Sequence, residues 1–69
     1  MEFNVQGKKL NITDALIEEY LRRTSNNNDT LIMAVDLHCR RAMKHPDVFG
    51  TDLNIAVENS IKDELELWE

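Results

Sequence analysis

The chain is poor in the residues that interrupt or cross-link a backbone. Its 69 residues include one proline, Pro46, two glycines, Gly7 and Gly50, and one cysteine, Cys39. A lone cysteine excludes an internal disulfide and leaves no thiolate pair for a structural zinc site. Two glycines so far apart make no phosphate-cradling loop, and neither an HExxH pair nor aromatic-basic interleaving for nucleic-acid stacking is present. The spacing shows no serine–histidine–acid arrangement, so an enzyme is not expected and no cofactor is called for. Apolar runs are short: none approaches the ~18 residues that span a bilayer, and MEFNVQGKKLNI lacks the apolar stretch of a secretion signal. The expectation is an intracellular, cytoplasmic protein that does not enter the membrane.

Basic residues are also scarce, eight Lys and Arg against thirteen Asp and Glu, for a net charge of −5. The imbalance is local. Residues 46–69 carry Asp47, Asp52, Glu58, Asp63, Glu64, Glu66 and Glu69 against Lys62 alone, whereas residues 29–45 are slightly basic. Such a lobe disfavours nucleic acid and anionic membranes and favours a protein partner with a basic surface.

What is present is a folded composition, 42% hydrophobic and 30% charged. A chain of this length reads as a single compact domain, residues 1–69. It hides only about 60% of its unfolded surface, so a stability of roughly 3–5 kcal/mol, or reliance on self-association, is expected. The predicted fold is α+β, mainly α: an N-terminal β-hairpin followed by three helices (ββααα). In "EFNVQGKKLNI", Phe3, Val5, Leu10 and Ile12 alternate. A Gly7–Lys8 turn of type II′ would set Val5 against Leu10 and Phe3 against Ile12 on one face. An isolated hairpin is marginal in water, so its apolar face must lie on the helices or its edge must pair with another copy.

"TDALIEEYLRR" follows as a helix capped by Thr13 or Asp14, with Leu16, Ile17, Tyr20 and Leu21 in one stripe. Glu18/Arg22 and Glu19/Arg23 are i,i+4 pairs on its other side. A second helix over about 30–44, capped by Asn28 or Asp29, is terminated by Pro46. A third begins at a Thr51 or Asp52 cap and carries Leu53, Val57, Ile61, Leu65 and Trp68 at helical spacing. Trp68 is expected to staple that helix onto the core.

The second helix holds "HCRRAMKH", two histidines, the cysteine and three bases in eight positions. At 100° per residue Leu31, Ile32, Val35, Cys39, Ala42 and Met43 share an arc, predicted as the core face, which makes Cys39 a packed thiol and not a nucleophile. His38 and His45 fall on the outer side. They sit about 10 Å apart by helical rise with Arg41 between them, a poor metal site. His38, Arg40, Arg41, Lys44 and His45 make a candidate anion or nucleotide pocket, although bases also belong at a helix C-terminus. Met33 and Leu37 stand outside the core arc among these bases. They are either a contact surface with a polar rim or a second packed face under snorkelling basic chains.

The third helix carries an acidic face of Glu58, Asp63, Glu66 and Glu69, with Glu64 on its apolar stripe, where a buried charge needs a partner, an arginine by preference. The function these residues favour is a non-enzymatic, small acidic protein-interaction domain acting as inhibitor, adaptor or regulator. Accessory proteins of viruses and mobile elements include such domains. The expected contacts are the acidic lobe or the Met33–Leu37 patch, with homo-oligomers formed through the hairpin edge or the second helix. The alternative is an anion- or nucleotide-binding oligomer built on the basic stretch.

Overall fold

The computed structural model describes residues 1–65. The element order is β1 (Glu2–Val5), β2 (Lys8–Asn11), α1 (Asp14–Arg23), α2 (Leu31–Lys44), α3 (Pro46–Phe49) and α4 (Leu53–Glu64). This is the expected hairpin followed by three long helices, with one extra helical turn, α3.

The hairpin forms where the alternation places it, but in a different register. Val5 pairs with Lys8, Phe3 with Leu10 and Glu2 with Asn11. The turn residues are therefore Gln6 and Gly7, both left-handed at φ 52° and 69°, the pattern of a type I′ turn and not the expected type II′ turn at Gly7–Lys8. The two registers differ by two residues, which preserves side-chain parity. Phe3, Val5, Leu10 and Ile12 are accordingly all buried on one face, as expected. Both primed turns match the twist of the flanking strands, and the observed one places Gly7 at a left-handed position, which costs glycine little. Gln6 pays for its left-handed backbone in part through a 2.6 Å hydrogen bond from Nε2 to Asp36 Oδ1 on α2.

α1 buries Leu16, Ile17 and Tyr20, with Leu21 packed at the margin. Glu19 takes both Arg22 and Arg23, so Arg22 turns to Glu19 and not to Glu18; the Arg22 hydrogen bond is the main reason the Glu19 carboxyl lies below its usual range. The start of α2 is set by Asn27, not by Asn28 or Asp29. Its Oδ1 accepts from the Asp29 and Thr30 amides, while Thr30 Oγ1 accepts from the Asn27 amide.

Pro46 ends α2 as expected and at once begins α3, its fixed φ suiting a first helical position. This turn plants Phe49 in the core. Asp52 caps α4 by accepting the Ile55 amide at 3.2 Å.

The core lies between the hairpin and the helices: α2 packs chiefly on α4, β1 lies on α2, and α1 and α3 close against α4. Val57, Ile61 and Leu65 are buried along α4, with Leu53 at the edge. Trp68 lies outside the described residues. The core face of α2 is rotated from the predicted arc. Leu31, Ala34, Val35, His38, Cys39 and Ala42 point inward, at i, i+3, i+4, i+7, i+8 and i+11. Ile32 and Met43, predicted inside, are exposed. Small side chains explain the rotation: Ala34 and Ala42 on α2, and Ala56 and Ser60 on α4, are buried and let two helices approach closely.

Candidate functional site

The basic stretch comes apart once it is built onto this helix. His38 is 6% exposed, on the inner side of α2 against α4. Its Nδ1 lies 2.7 Å from Ser60 Oγ and its Nε2 lies 2.6 Å from Glu64 Oε1. Tyr20 Oη donates to the same Glu64 oxygen at 3.3 Å, Asn26 Nδ2 donates to Tyr20 Oη at 3.3 Å, and Tyr20 meets the imidazole edge-on.

The pattern of partners fixes the proton. A neutral imidazole protonated at Nε2 donates to the Glu64 carboxylate and accepts at Nδ1 from the Ser60 hydroxyl, which in turn accepts a long bond from Arg41 Nη1 at 3.4 Å. Burial holds the His38 pKa below the ordinary 6.5, outweighing the opposing pull of Glu64, and Arg41 pushes the same way as burial. Burial, with Glu64 adding to it, pushes the Tyr20 hydroxyl up to about 12. Among the described residues every buried polar side-chain atom finds a partner.

The partner of Glu64 is therefore a histidine and a tyrosine, not the expected arginine. Ser60, His38 and Glu64 also form a serine–histidine–acid row that the sequence spacing does not reveal. In this row the serine is sealed. Ser60 is 0% exposed, and its oxygen has no path to a substrate carbonyl. The row works as a polar tie between α1, α2 and α4.

The remaining bases do not converge on an anion. Arg41 pairs with Asp63 Oδ2 at 2.5 Å and lies 4.8 Å from the centre of the Phe49 ring. Arg40 pairs with Asp36 at 3.2 Å. Lys44 and His45 are exposed, His45 beyond the end of α2. The expectation that His38 and His45 share an outer side is thus overturned, and with it the five-residue pocket. Cys39 is fully buried, and burial, with Asp36 nearby, pushes its thiol pKa up. Among the described residues no group of three or more His, Cys, Asp and Glu side chains could hold a metal ion.

The acidic face is likewise engaged inside the chain. Glu58 is half-buried and accepts from the Thr13 amide at 2.9 Å and from Thr13 Oγ1 at 2.8 Å, which fixes the start of α1. Asp63 is half-buried against Arg41. Glu66 and Glu69 lie outside the described residues.

The surface left open is apolar. Met33 and Leu37 are 68% and 64% exposed, and Ile32, which the sequence placed in the core, joins them at 61%. Met33 and Leu37 are i,i+4 neighbours and form a ridge between two grooves, with Ile32 about 100° round the helix from Met33 on the β1 side. One groove, about 390 Å³, runs between α2 and β1 and is walled by Asn4, Val5, Gln6, Asp36 and Arg40. The other, about 540 Å³, runs between α2 and the Tyr20–His38–Glu64 cluster. Counting Ala34 as a core position, which centres the inner face on the 31–34–35–38–39–42 series, is the signal that would have put Ile32 outside.

No helix among the described residues is long and apolar enough to cross a membrane. Comparison with protein-family models, with curated proteins and with solved structures finds no match to this chain.

Proposed function

We propose that this is a cytoplasmic, non-catalytic protein-interaction domain, an inhibitor, adaptor or regulator, whose contact surface is the outer ridge of α2. The observation that carries this is the trio Ile32, Met33 and Leu37, large apolar side chains each more than 60% exposed and lining one groove between α2 and β1. Singly exposed apolar residues are ordinary, but a contiguous group rimmed by polar side chains marks a contact site. Asn4, Gln6, Asp36 and Arg40 supply that rim.

Of the two surfaces expected from the sequence, the ridge is preferred to the acidic lobe because Glu58 and Asp63 already hold Thr13 and Arg41. The anion-binding alternative loses support for the parallel reason that His38, Arg40 and Arg41 have partners within the chain.

The test is capture with a tagged chain, scoring untagged copies of the chain itself along with other proteins. Retention by the wild type is expected to be lost in Met33→Glu/Leu37→Glu and kept in Asp47→Lys, with both variants showing native helix content. Retention that survives Met33→Glu/Leu37→Glu would overturn the reading.

A further inference from the structure

The two edges of the hairpin are treated differently. On β2, the Asn54 side chain closes the outer edge: its Oδ1 accepts the Asn11 amide at 2.7 Å and its Nδ2 donates to the Asn11 carbonyl at 3.0 Å. These bonds fix the alternation of the ladder. If Asn11 faces outward, the Glu2–Asn11 and Asn4–Lys9 pairs are the non-hydrogen-bonded ones, and the backbone groups of Glu2 and Asn4 point away from β2. The Ile12 amide bonding to the Met1 carbonyl at 2.8 Å agrees with that phase. Among the described residues nothing bonds to the outward groups of Glu2 and Asn4. Beside this bare edge runs the 390 Å³ groove between β1 and α2, walled by Val5, Met33 and Leu37, and next to it a further groove between the same elements, walled by Phe3 and Ile32.

We propose that this edge is closed by a second copy of the chain, β1 pairing antiparallel with β1 of its twin to make a four-stranded sheet above a pair of α2 helices. The inference rests on the contact surface proposed above and names its occupant. The argument for a second copy is self-complementarity. Only outward residues exchange backbone bonds, so the two-fold register that sets Glu2 against Asn4 of the twin uses every outward group of β1. It places a carboxylate beside a carboxamide with no like charges opposed, and brings Phe3 against Phe3 on the core side of the sheet. Ile32, which shares a groove with Phe3, is carried to the axis, and Met33 and Leu37 lie alongside. A chain of 8.0 kDa has little core of its own, which is the circumstance in which small domains recruit a twin.

Sedimentation equilibrium at tens of micromolar is expected to give twice the 8.0 kDa chain mass. Asn4→Pro removes an outward amide from the open edge, where proline is tolerated. It is expected to weaken association about 30-fold, both symmetry copies of that bond being lost, with the circular dichroism unchanged. Lys9→Pro removes the equivalent outward amide of β2 and is expected to leave the mass doubled. Amide exchange on the unmodified chain provides a readout that needs no variant: the Glu2 and Asn4 amides should gain protection with concentration while Lys9 does not. A chain of 8.0 kDa at every concentration, or a dimer with Glu2 and Asn4 amides in free exchange, overturns the pairing. If such a chain still loses capture on Met33→Glu/Leu37→Glu, the contact-surface reading stands and its occupant is a different protein.

Discussion

The inner and outer sides of α2 are built from similar numbers of apolar residues and do opposite things. The inner side carries Leu31, Ala34, Val35, Cys39 and Ala42 together with a histidine, all buried. The outer side carries Ile32, Met33, Leu37 and Met43, all at least half exposed. Hydrophobicity alone does not distinguish them. Size and hydrogen bonding do: the inner side has the small residues that admit α4, and its one polar residue is met by Ser60 and Glu64 from that same helical segment. The outer side has the long, flexible side chains that suit a transient or intermolecular contact.

The sharpest break in this comparison is between Ile61 and Ile32. Ile61 is fully buried where α4 packs on α2, so Ile61→Ala is expected to cost about 2–5 kcal/mol, enough to unfold most molecules of so small a domain. Ile32→Ala, at an equally apolar but exposed position, is expected to stay within about 0.5 kcal/mol in the dissociated chain. Urea melts at low protein concentration read both.

Next in size is His38→Ala. It leaves the Ser60 hydroxyl hydrogen without its imidazole acceptor in the helix interface and removes a donor to Glu64, for an expected loss of about 2–3 kcal/mol. Its companion is a pH dependence. Because burial holds His38 below 6.5 in the folded chain, the unfolded chain takes up the proton first as pH falls. The contribution of His38 to stability is therefore complete above about 6.5, declines as pH falls from there, and is lost once the folded value is passed. Melting temperatures taken from pH 7.5 down to pH 5 should fall more in the wild type than in His38→Gln, and an imidazole titration followed by NMR should place His38 below 6.5. Equal slopes for the two chains would remove the buried neutral imidazole from the account.

Smaller again is Gly7→Ala. No atom lies within 4 Å of the added methyl, so the cost is the left-handed backbone alone, about 1 kcal/mol. The turn then sharpens the register assignment: a type II′ turn at residues 7–8 would not place Gln6 at φ 52°.

The parts of this fold that were legible in the sequence are those fixed by local chemistry. The hairpin alternation, the Leu16–Ile17–Tyr20 stripe, the Asp52 cap and the stop at Pro46 all follow from a few adjacent residues. What escaped depends on partners far along the chain. A histidine is scored as polar and placed outside unless its ring nitrogens are known to meet Ser60 and Glu64, 22 and 26 positions away. Alanine contributes little to a hydrophobic wheel, so Ala34 did not draw the core arc toward itself, and bulky Ile32 and Met43 drew it the other way. The hairpin register escaped because parity is the same in both alternatives. Four residues of α3 are too few to show a period. Met33 and Leu37 fall outside the core arc whichever way it is rotated, but whether that second side is an exposed surface or a second packed face depends on long-range packing, which leaves both residues exposed.

The central claim is that the outer side of α2, unneeded for folding, closes a contact with a second copy of this chain. Its most direct test is sedimentation equilibrium of the wild type and of Leu37→Glu at the same concentration, tens of micromolar, with helix content checked in both. The wild type should sediment at twice the 8.0 kDa chain mass and Leu37→Glu at the chain mass itself; identical masses for the two would contradict the claim.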